Sequence, residues 1–551
     1  MANPRHSPRL ALAAVSAGAI TVAVAIACGP GGFDGLTGGV RDAGAQGDAT
    51  LPPELDVNLP APRPIGPPSG TFLSSSRPSF RWELVDPLRG AFLELCKTRK
   101  CETVAKTFEV DARSFTLPED LEPGVWFWRL RGKAARAFGQ KASPAWEIVV
   151  RGPAATGASN ASHGSIVDVN GDGFADIVAI ASLPGDEDHD LVVYLGGAEG
   201  YGTKATQRLP LSGRAVAIAA GVDVNGDGFG DVVVSTPGFF SGPDGGPFLP
   251  PDAAPPIFIE VYRGSEKGLL LGPEQPGFFE VPELGSGLRE AGDVNGDGYG
   301  DVVATSTSSS VILLGSANGL AGPVVSLASP PTYAPAPGRL GLGGFDIDGD
   351  GLSDVAVGSA MPSAPAAIFF GASAGVGPQS ASVDMKEGSV YLTSALALAA
   401  LDIDGDAKVD LAFTATDQNP IDGIGPPNAV CFLRGPAPLL VPGECVYGNP
   451  AKGFAQSITG FDLDGDKRDD LIFRGGSGVI SFHVNEQGAF DQGPGFNFGA
   501  DVSLTTVMPS RPGAGVWAAM SSSQLFVIEG AKVKGSPLSP PAGTTFARIL
   551  R

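Results

Sequence analysis

Sorted only into apolar and polar positions, the chain changes character three times along its 551 residues. Arg5 and Arg9 lead into an apolar stretch from Leu10 to Ile26, followed by Ala27 and Cys28. Residues 28–60 then carry Gly, Ala, Asp and Pro with few large apolar side chains. Such a segment buries too little to order itself and reads as a tether. Residues 61–151 break into alternating pieces, SFRWEL, AFLELC, KTFEV, SFTL, VWFWRLRG and AWEIVV, with turn residues between them. That spacing predicts a small β-sandwich. Four tryptophans fall here, Trp82, Trp126, Trp128 and Trp146, and are expected in its core rather than in a carbohydrate-stacking site. Alternation puts Phe127 on the face opposite Trp126 and Trp128.

From residue 152 the pattern becomes repetitive. Short β-branched runs such as DIVAIAS, DVVVST, DLAFTA and DLIFRG each follow an acidic turn. A second set of apolar runs recurs behind them: DLVVYLGG, IFIEVYRGS, SVILLGS, AAIFFGAS, AVCFLRG and VISFHVN. The first unit reads as four strands: one near Gly164–Asp168, then DIVAIAS, DLVVYLGG and a polar strand near Lys204–Leu211. The predicted class is all-β from residue 61 onward.

The acidic turns are copies of one nine-residue stretch. DVNGDGFAD at Asp168 returns as DVNGDGFGD at Asp223, DVNGDGYGD at Asp293, DIDGDGLSD at Asp346, DIDGDAKVD at Asp402 and DLDGDKRDD at Asp462. The copies start 55, 70, 53, 56 and 60 residues apart, and a repeat of that length marks one supersecondary unit used many times. Oxygen-bearing side chains stand at positions 1, 3, 5 and 9, and packed hard oxygens suit Ca²⁺. With position 7 counted in, the candidate metal sets are as follows. The first is Asp168, Asn170, Asp172, Phe174 and Asp176, and the second Asp223, Asn225, Asp227, Phe229 and Asp231. The third is Asp293, Asn295, Asp297, Tyr299 and Asp301, and the fourth Asp346, Asp348, Asp350, Leu352 and Asp354. The fifth is Asp402, Asp404, Asp406, Lys408 and Asp410, and the sixth Asp462, Asp464, Asp466, Arg468 and Asp470. Positions 2 and 10 are always apolar and are expected to peg each loop to a core.

An EF-hand is excluded, because position 12 holds Ala, Val or Phe instead of Glu and strands flank the loop. The loops resemble the calcium-binding FG-GAP repeat of the integrin α-subunit β-propeller and of many bacterial surface proteins. Pieces of the rest of that signature stand at GFAQSITGFD from Gly453 and at Ser235-Thr236-Pro237. The resemblance covers about residues 152–551 and implies a β-propeller of four-stranded blades. Six loops and a seventh unit from Val502, in which Pro509–Gly515 replaces the acidic loop, predict seven blades. Residues 61–151 similarly resemble a fibronectin type III or immunoglobulin-like module. Ala407 and Lys467 replace Gly at position 6. If that position is left-handed, each costs roughly 1 kcal/mol, so the expectation of calcium is weakest in the fifth and sixth loops.

Charge then changes the picture. The net charge is −22, yet 21 of the 59 acidic residues are ligand positions, and the other 38 nearly balance 37 Lys and Arg. The acidity therefore sits where metal would sit, and no basic patch points to nucleic acid. The first 27 residues read as a secretory signal, and Ala25-Ile26-Ala27-Cys28 resembles a bacterial lipobox with Cys28 lipidated, an uncleaved membrane anchor or an ordinary cleaved signal being the alternatives. That implies an exported protein anchored in the cell envelope, at an outer membrane or cell surface. The remaining cysteines form two sequence-close couples, Cys96/Cys101 and Cys431/Cys445. Two disulfides suit an exported chain, with free buried thiols as the alternative.

Other chemistry is thin. Gly371-Ala372-Ser373-Ala374-Gly375 matches a nucleophile pattern, but sister units carry a turn in the same slot. His163, His189 and His483 are not spaced for zinc or a triad, and the run Asp186–Asp190 reads as a solvated hairpin tip. The largest insertion, residues 237–256, is expected to be a disordered hairpin extension, with a partner-binding loop as the alternative, and a smaller one runs from Asp417 to Asn428. The whole reads as a binding protein that recognises a protein or glycan, with calcium holding the blades. An extracellular hydrolase or lyase, or a scaffold of an envelope complex, are the alternatives.

Overall fold

The computed structural model describes residues 54–549 except 57, 136, 156–161, 183–188, 212, 238–239, 242–246, 249–256, 271–273, 280–286, 307–308, 321–323, 328–339, 359–365, 378–380, 384–385, 388–389, 394–396, 418–428, 436–440, 448–457, 464–465, 467, 476–477, 485–489, 498–502, 508–515, 521–523, 530–531, 534–535 and 543–544. The signal-like stretch, Cys28 and most of the tether therefore lie outside the described residues. The described residues are all-β, with no helix among them.

The alternating pieces of the N-terminal module become two sheets on one core. Arg63–Gly66, Ser79–Glu83 and Ser114–Thr116 form the first. Val104–Val110, Gly90–Cys96, Gly124–Lys133 and Trp146–Ala155 form the second, with Thr71–Ser75 parallel to the last of these. Trp82, Trp126, Trp128 and Trp146 share one core with Phe80, Leu93 and Ile148. Phe127 points the other way, onto Cys96 and Cys101. Their sulfurs are bonded, as are those of Cys431 and Cys445, which lie opposite each other on paired strands.

After residue 165 the described strands make seven four-stranded antiparallel sets. In the second these are Ala217–Val222, Asp231–Pro237, Ile257–Tyr262 and Glu274–Phe279. The run behind each acidic turn is the second strand of its set, and alternation explains why it is apolar throughout. In the first set, Ile177, Ala179 and Ala181 pack with Leu525 and Val527 of the seventh. Val178 and Ile180 pack with Ile218, Val232 and Val234 of the second. Both faces are thus core, and each buried aliphatic side chain contributes about 1.5–3 kcal/mol. Similar cores join the second set to the third, the third to the fourth, the fourth to the fifth and the fifth to the sixth.

One strand lies elsewhere than its sequence suggests. The segment near Gly164–Asp168 is not the first strand of the first set. Ser162–Ser165 pairs instead with Thr71–Ser75 of the N-terminal module and, through His163, with Phe345. The vacant place beside Ile177–Ser182 is taken by Thr545–Ile549. A sheet edge accepts any strand whose alternation fits, and TFARI buries Phe546 beside Tyr194, their rings 6.3 Å apart. In the 237–256 insertion, Phe240–Ser241 pairs with Pro247–Phe248 as a short hairpin. Residues 418–428 of the smaller insertion are outside the described residues.

Removing this aromatic anchor tests the closure. Phe546→Ala is expected to cost about 3–5 kcal/mol, seen as a lower denaturant midpoint. An unchanged midpoint would show that residues 545–549 do not complete the first sheet.

Candidate metal centre

Each acidic turn is built around its first aspartate. Asp168 Oδ1 accepts the Gly171 N–H at 2.6 Å and the Asp172 N–H at 3.2 Å, while Oδ2 accepts the Gly173 N–H at 2.8 Å. Asp223 and Asp346 hold their own turns in the same way. Wrapping N–H groups round one carboxylate needs left-handed backbone at positions 4 and 6, as at Gly171 (φ 67) and Gly173 (φ 84). Ala407 takes that conformation too, at φ 63, and bears the steric cost of its Cβ. Its N–H still reaches Asp402 Oδ2 at 2.9 Å.

The ninth position ties the turn to the strand that follows. Asp176, Asp231, Asp301, Asp354, Asp410 and Asp470 each accept the N–H of their loop's position 2, at 2.7–3.1 Å. The apolar pegs at positions 2 and 10 are buried; Val169 and Val302 are both fully enclosed. The other oxygen of position 9 finds a partner that the repeat analysis missed. Gly196, Gly264, Gly315, Gly371 and Gly435, each ending a third strand, donate to it at 2.7–2.9 Å. They are glycine for closeness rather than for φ. A Cβ on any of them would collide with the position-8 carbonyl oxygen of the same unit. The signal was present, as a glycine recurring where each third strand stops. In the sixth unit Val484 stands in that slot, and His483 Nδ1 lies 2.9 Å from Asp470 Oδ1.

The remaining ligand positions cluster over this frame. Asp346, Asp348 and Asp354 bring carboxylate oxygens within 4.8 Å of one another, and so do Asp402, Asp404 and Asp410. In the first three loops position 3 is Asn, and its amide donates to the position-5 carboxylate at 2.9–3.0 Å. Position 5 also accepts the N–H of position 7 in all six copies, at 2.8–3.0 Å. Cations intrude on the later loops: Lys408 Nζ lies 2.9 Å from Asp406, Arg434 3.5 Å from Asp404, and Arg468 3.5 Å from Asp466. Asp464 and Lys467 are outside the described residues.

Burial sets the electrostatics. Desolvation pushes Asp223, Asp293, Asp354, Asp402 and Asp410 up to about 7 and Asp346 to about 8. Asp176, Asp231 and Asp301 are held well above the usual carboxylate range by burial and by the first aspartate of their loops. Packing several acids into a dry turn is costly without an opposite charge. A hard divalent cation would supply it, and the Asp346 and Asp402 clusters are close enough to hold one.

The N-terminal module sits on these turns. Arg99, between Cys96 and Cys101, donates to Gly171 O at 3.0 Å, Gly228 O at 2.6 Å and its own module's Ala145 O, and lies 4.3 Å over the Phe229 ring. Ser69 also reaches Gly228 O, and Trp146 Nε1 reaches Gly226 O at 3.1 Å. Arg63 donates to Asp297 O and covers Tyr299; Arg81 donates to Gly351 O at 2.6 Å. Arg151 pairs with Asp469, whose Oδ2 also accepts the Asp402 N–H at 2.7 Å. Nothing in the repeat pattern marks these arginines, because they belong to another module. A cleft between the two parts is lined by Arg81, Ser165, Asp223, Glu290 and Asp346 among small residues. Glu290 is its one described carboxylate outside the loops; burial raises it to about 7, and it accepts a hydrogen bond from Ser165. Ser373 is exposed between the two short strands of a hairpin, and His189 Nδ1 accepts the Ala215 N–H.

A family model described as the FG-GAP-like repeat matches residues 168–234 and 293–357. These two spans are FG-GAP-like repeats. Integrin alpha pat-2 of Caenorhabditis briggsae is 25% identical over 348 residues, 54% of this chain and 27% of that protein. Integrin alpha-PS5 of Drosophila melanogaster is 32% identical over 163 residues, 27% of this chain and 15% of that protein. The chain thus spans about a quarter or less of the length of these relatives. A solved protein from Lactobacillus plantarum aligns at TM-score 0.42 and 9% identity, over 68% of this chain and 99% of its own. The sequence relatives and repeats together support an FG-GAP, integrin α-like β-propeller.

The raised acids give a signed pH dependence. Unfolded, an aspartate titrates near 3.8, whereas folded and metal-free these hold protons up to about 7 or 8. Between those limits the folded chain binds more protons than the unfolded one, so its stability falls as pH rises. In chelator, the melting temperature is expected to drop from about pH 5 to about pH 8. A melt that rises across that window would contradict these buried carboxyls.

Proposed function

We propose that this protein is a non-catalytic, calcium-binding surface lipoprotein. In this reading a seven-bladed β-propeller, carried behind a fibronectin type III-like sandwich, recognises a protein or glycan partner. The observation that carries it is the set of acidic turns repeated unit after unit, with their first and ninth aspartates buried and two groups of carboxylates close enough to hold an ion. Seven successive four-stranded sets support the blade count, and two sheets over a tryptophan core support the sandwich. The metal ligands are the six sets given above, with the fifth and sixth the weakest because lysine and arginine already approach their acids. Calcium is preferred over magnesium because the turns offer many flexible oxygens rather than a strict octahedron.

Recognition is favoured over hydrolysis by the chemistry of the cleft. Among the described residues its one carboxylate outside the loops is engaged with Ser165, and the rest of the described wall is largely glycine, proline and serine. The two integrin relatives point the same way, by analogy of scaffold.

Extracellular calcium modules often bind at about 10⁻⁴–10⁻³ M, so export would place the loops where they fill. Titration of chelated protein with calcium should show saturable binding in that range and a raised melting temperature. No binding and an unmoved melt would defeat the calcium reading. A glycan and protein binding screen with and without calcium then names the partner class.

Anchoring is tested separately. Cys28→Ala is expected to move the protein from the membrane pellet to the soluble fraction. If that variant still pellets, Cys28 is not the anchor.

A further inference from the structure

The first three loops hold three ligand carboxylates each and the last three hold four, because position 3 is Asn in the former and Asp in the latter. Beside the first loop a further carboxylate is buried. Glu147, on the strand Trp146–Ala155 of the N-terminal module, is 1% exposed. Its backbone is fixed: its N–H donates to Ser69 Oγ at 3.2 Å, and its carbonyl accepts the Gly70 N–H at 2.8 Å. Its side chain abuts the carboxyl group of Asp168, itself only 3% exposed. Its Oε1 has no hydrogen-bond partner. The Arg99 guanidinium, which acts on it electrostatically, already spends three hydrogen bonds on the carbonyls of Gly171, Ala145 and Gly228.

We propose that Glu147 is a ligand of the first metal site, supplied by the N-terminal module, so that this site lies between two modules. The inference rests on the calcium reading above. A carboxylate pressed against another in a dry interface, with one oxygen unpartnered, is far from neutral in cost. A cation held between Glu147 and Asp168 removes that repulsion and satisfies the idle oxygen. It also restores to the first loop the four carboxylates that the later loops carry within their own nine residues. The same ion then clamps the sandwich to the propeller, at the point where Arg99, Ser69 and Trp146 already dock.

The competing account is a shared proton: Glu147 neutral and hydrogen-bonded to Asp168, with no part in metal binding. Calcium titration of the full-length chain, wild type against Glu147→Gln, separates the two. The expected result is that one site weakens at least about tenfold while the others keep their affinity. Identical isotherms would overturn the proposal and favour the shared proton. Should the variant fail to fold, wild-type crystals soaked in terbium give the answer directly. An ion in the first loop within about 2.3–2.6 Å of a Glu147 oxygen supports the assignment. An ion held there by the loop alone, or loops filled elsewhere with the first one bare, overturns it. A wild-type chain that binds no calcium at all would instead bring down the parent reading, a different and recognisable failure.

Discussion

A carboxylate taken out of water wants an opposite charge, and this fold buries them by the dozen. Asp168, Asp223, Asp293, Asp346, Asp402 and their position-9 partners are all nearly inaccessible. Backbone N–H groups satisfy their lone pairs but bring only partial charge. That leaves turns which are well hydrogen-bonded and still electrostatically incomplete. Proton uptake is one escape, which is why burial lifts these acids towards neutrality. A divalent cation is the other, and it suits positions 1, 3, 5 and 9 because they arrive as a set.

The turns are also not independent. The position-8 N–H of one loop donates to the position-1 carbonyl of the loop before it: Gly230 to Asp168, Gly300 to Asp223, Ser353 to Asp293 and Asp469 to Asp402, at 2.7–3.0 Å. A second thread runs beside it. Ser265, Ser316 and Ala372, just past the third strands, donate to the position-2 carbonyls of Val169, Val224 and Val294. The second, third, fourth and sixth loops therefore each rest on the backbone of the loop before them. Whatever fixes one turn stiffens the next, and the glycines that end the third strands make this close stacking sterically possible. In a repeat architecture each unit contacts only its neighbours, so such couplings set how cooperatively the ring holds together.

Much of this was legible in the residues. The recurring nine-residue motif marked the loops, alternation marked the strands, and the tryptophan-rich stretch separated one module from the next. Ala407 was identifiable as a strained position from glycine's absence alone. Two things were not legible, for different reasons. The strand beside Ile177–Ser182 comes from residues 545–549, and local pattern cannot tell which of several fitting strands takes a sheet edge. The docking of Arg63, Arg81, Arg99 and Arg151 onto the loops depends on how two modules meet, for which a single sequence holds no periodicity. The glycines bonded to position 9 lie between these cases: visible as a recurrence, but meaningful only once the carbonyl they avoid is in place.

That docking changes what the loops can be for. A turn whose carbonyls are capped by Arg99, Arg81 or Arg63 is partly covered, so that part of the loop face is an internal joint of this molecule. The arginines add positive charge to the acidic face without replacing a cation, because their hydrogen bonds go to backbone oxygens and not to the ligand carboxylates. Charge attraction between a basic module edge and an acidic loop face holds over a range of geometries, whereas hydrogen bonds to particular carbonyls demand a single one. The loops can present those carbonyls in fixed positions only while their own charge is balanced. A cation bound in these turns would therefore favour the module orientation in which their carbonyls meet the arginines.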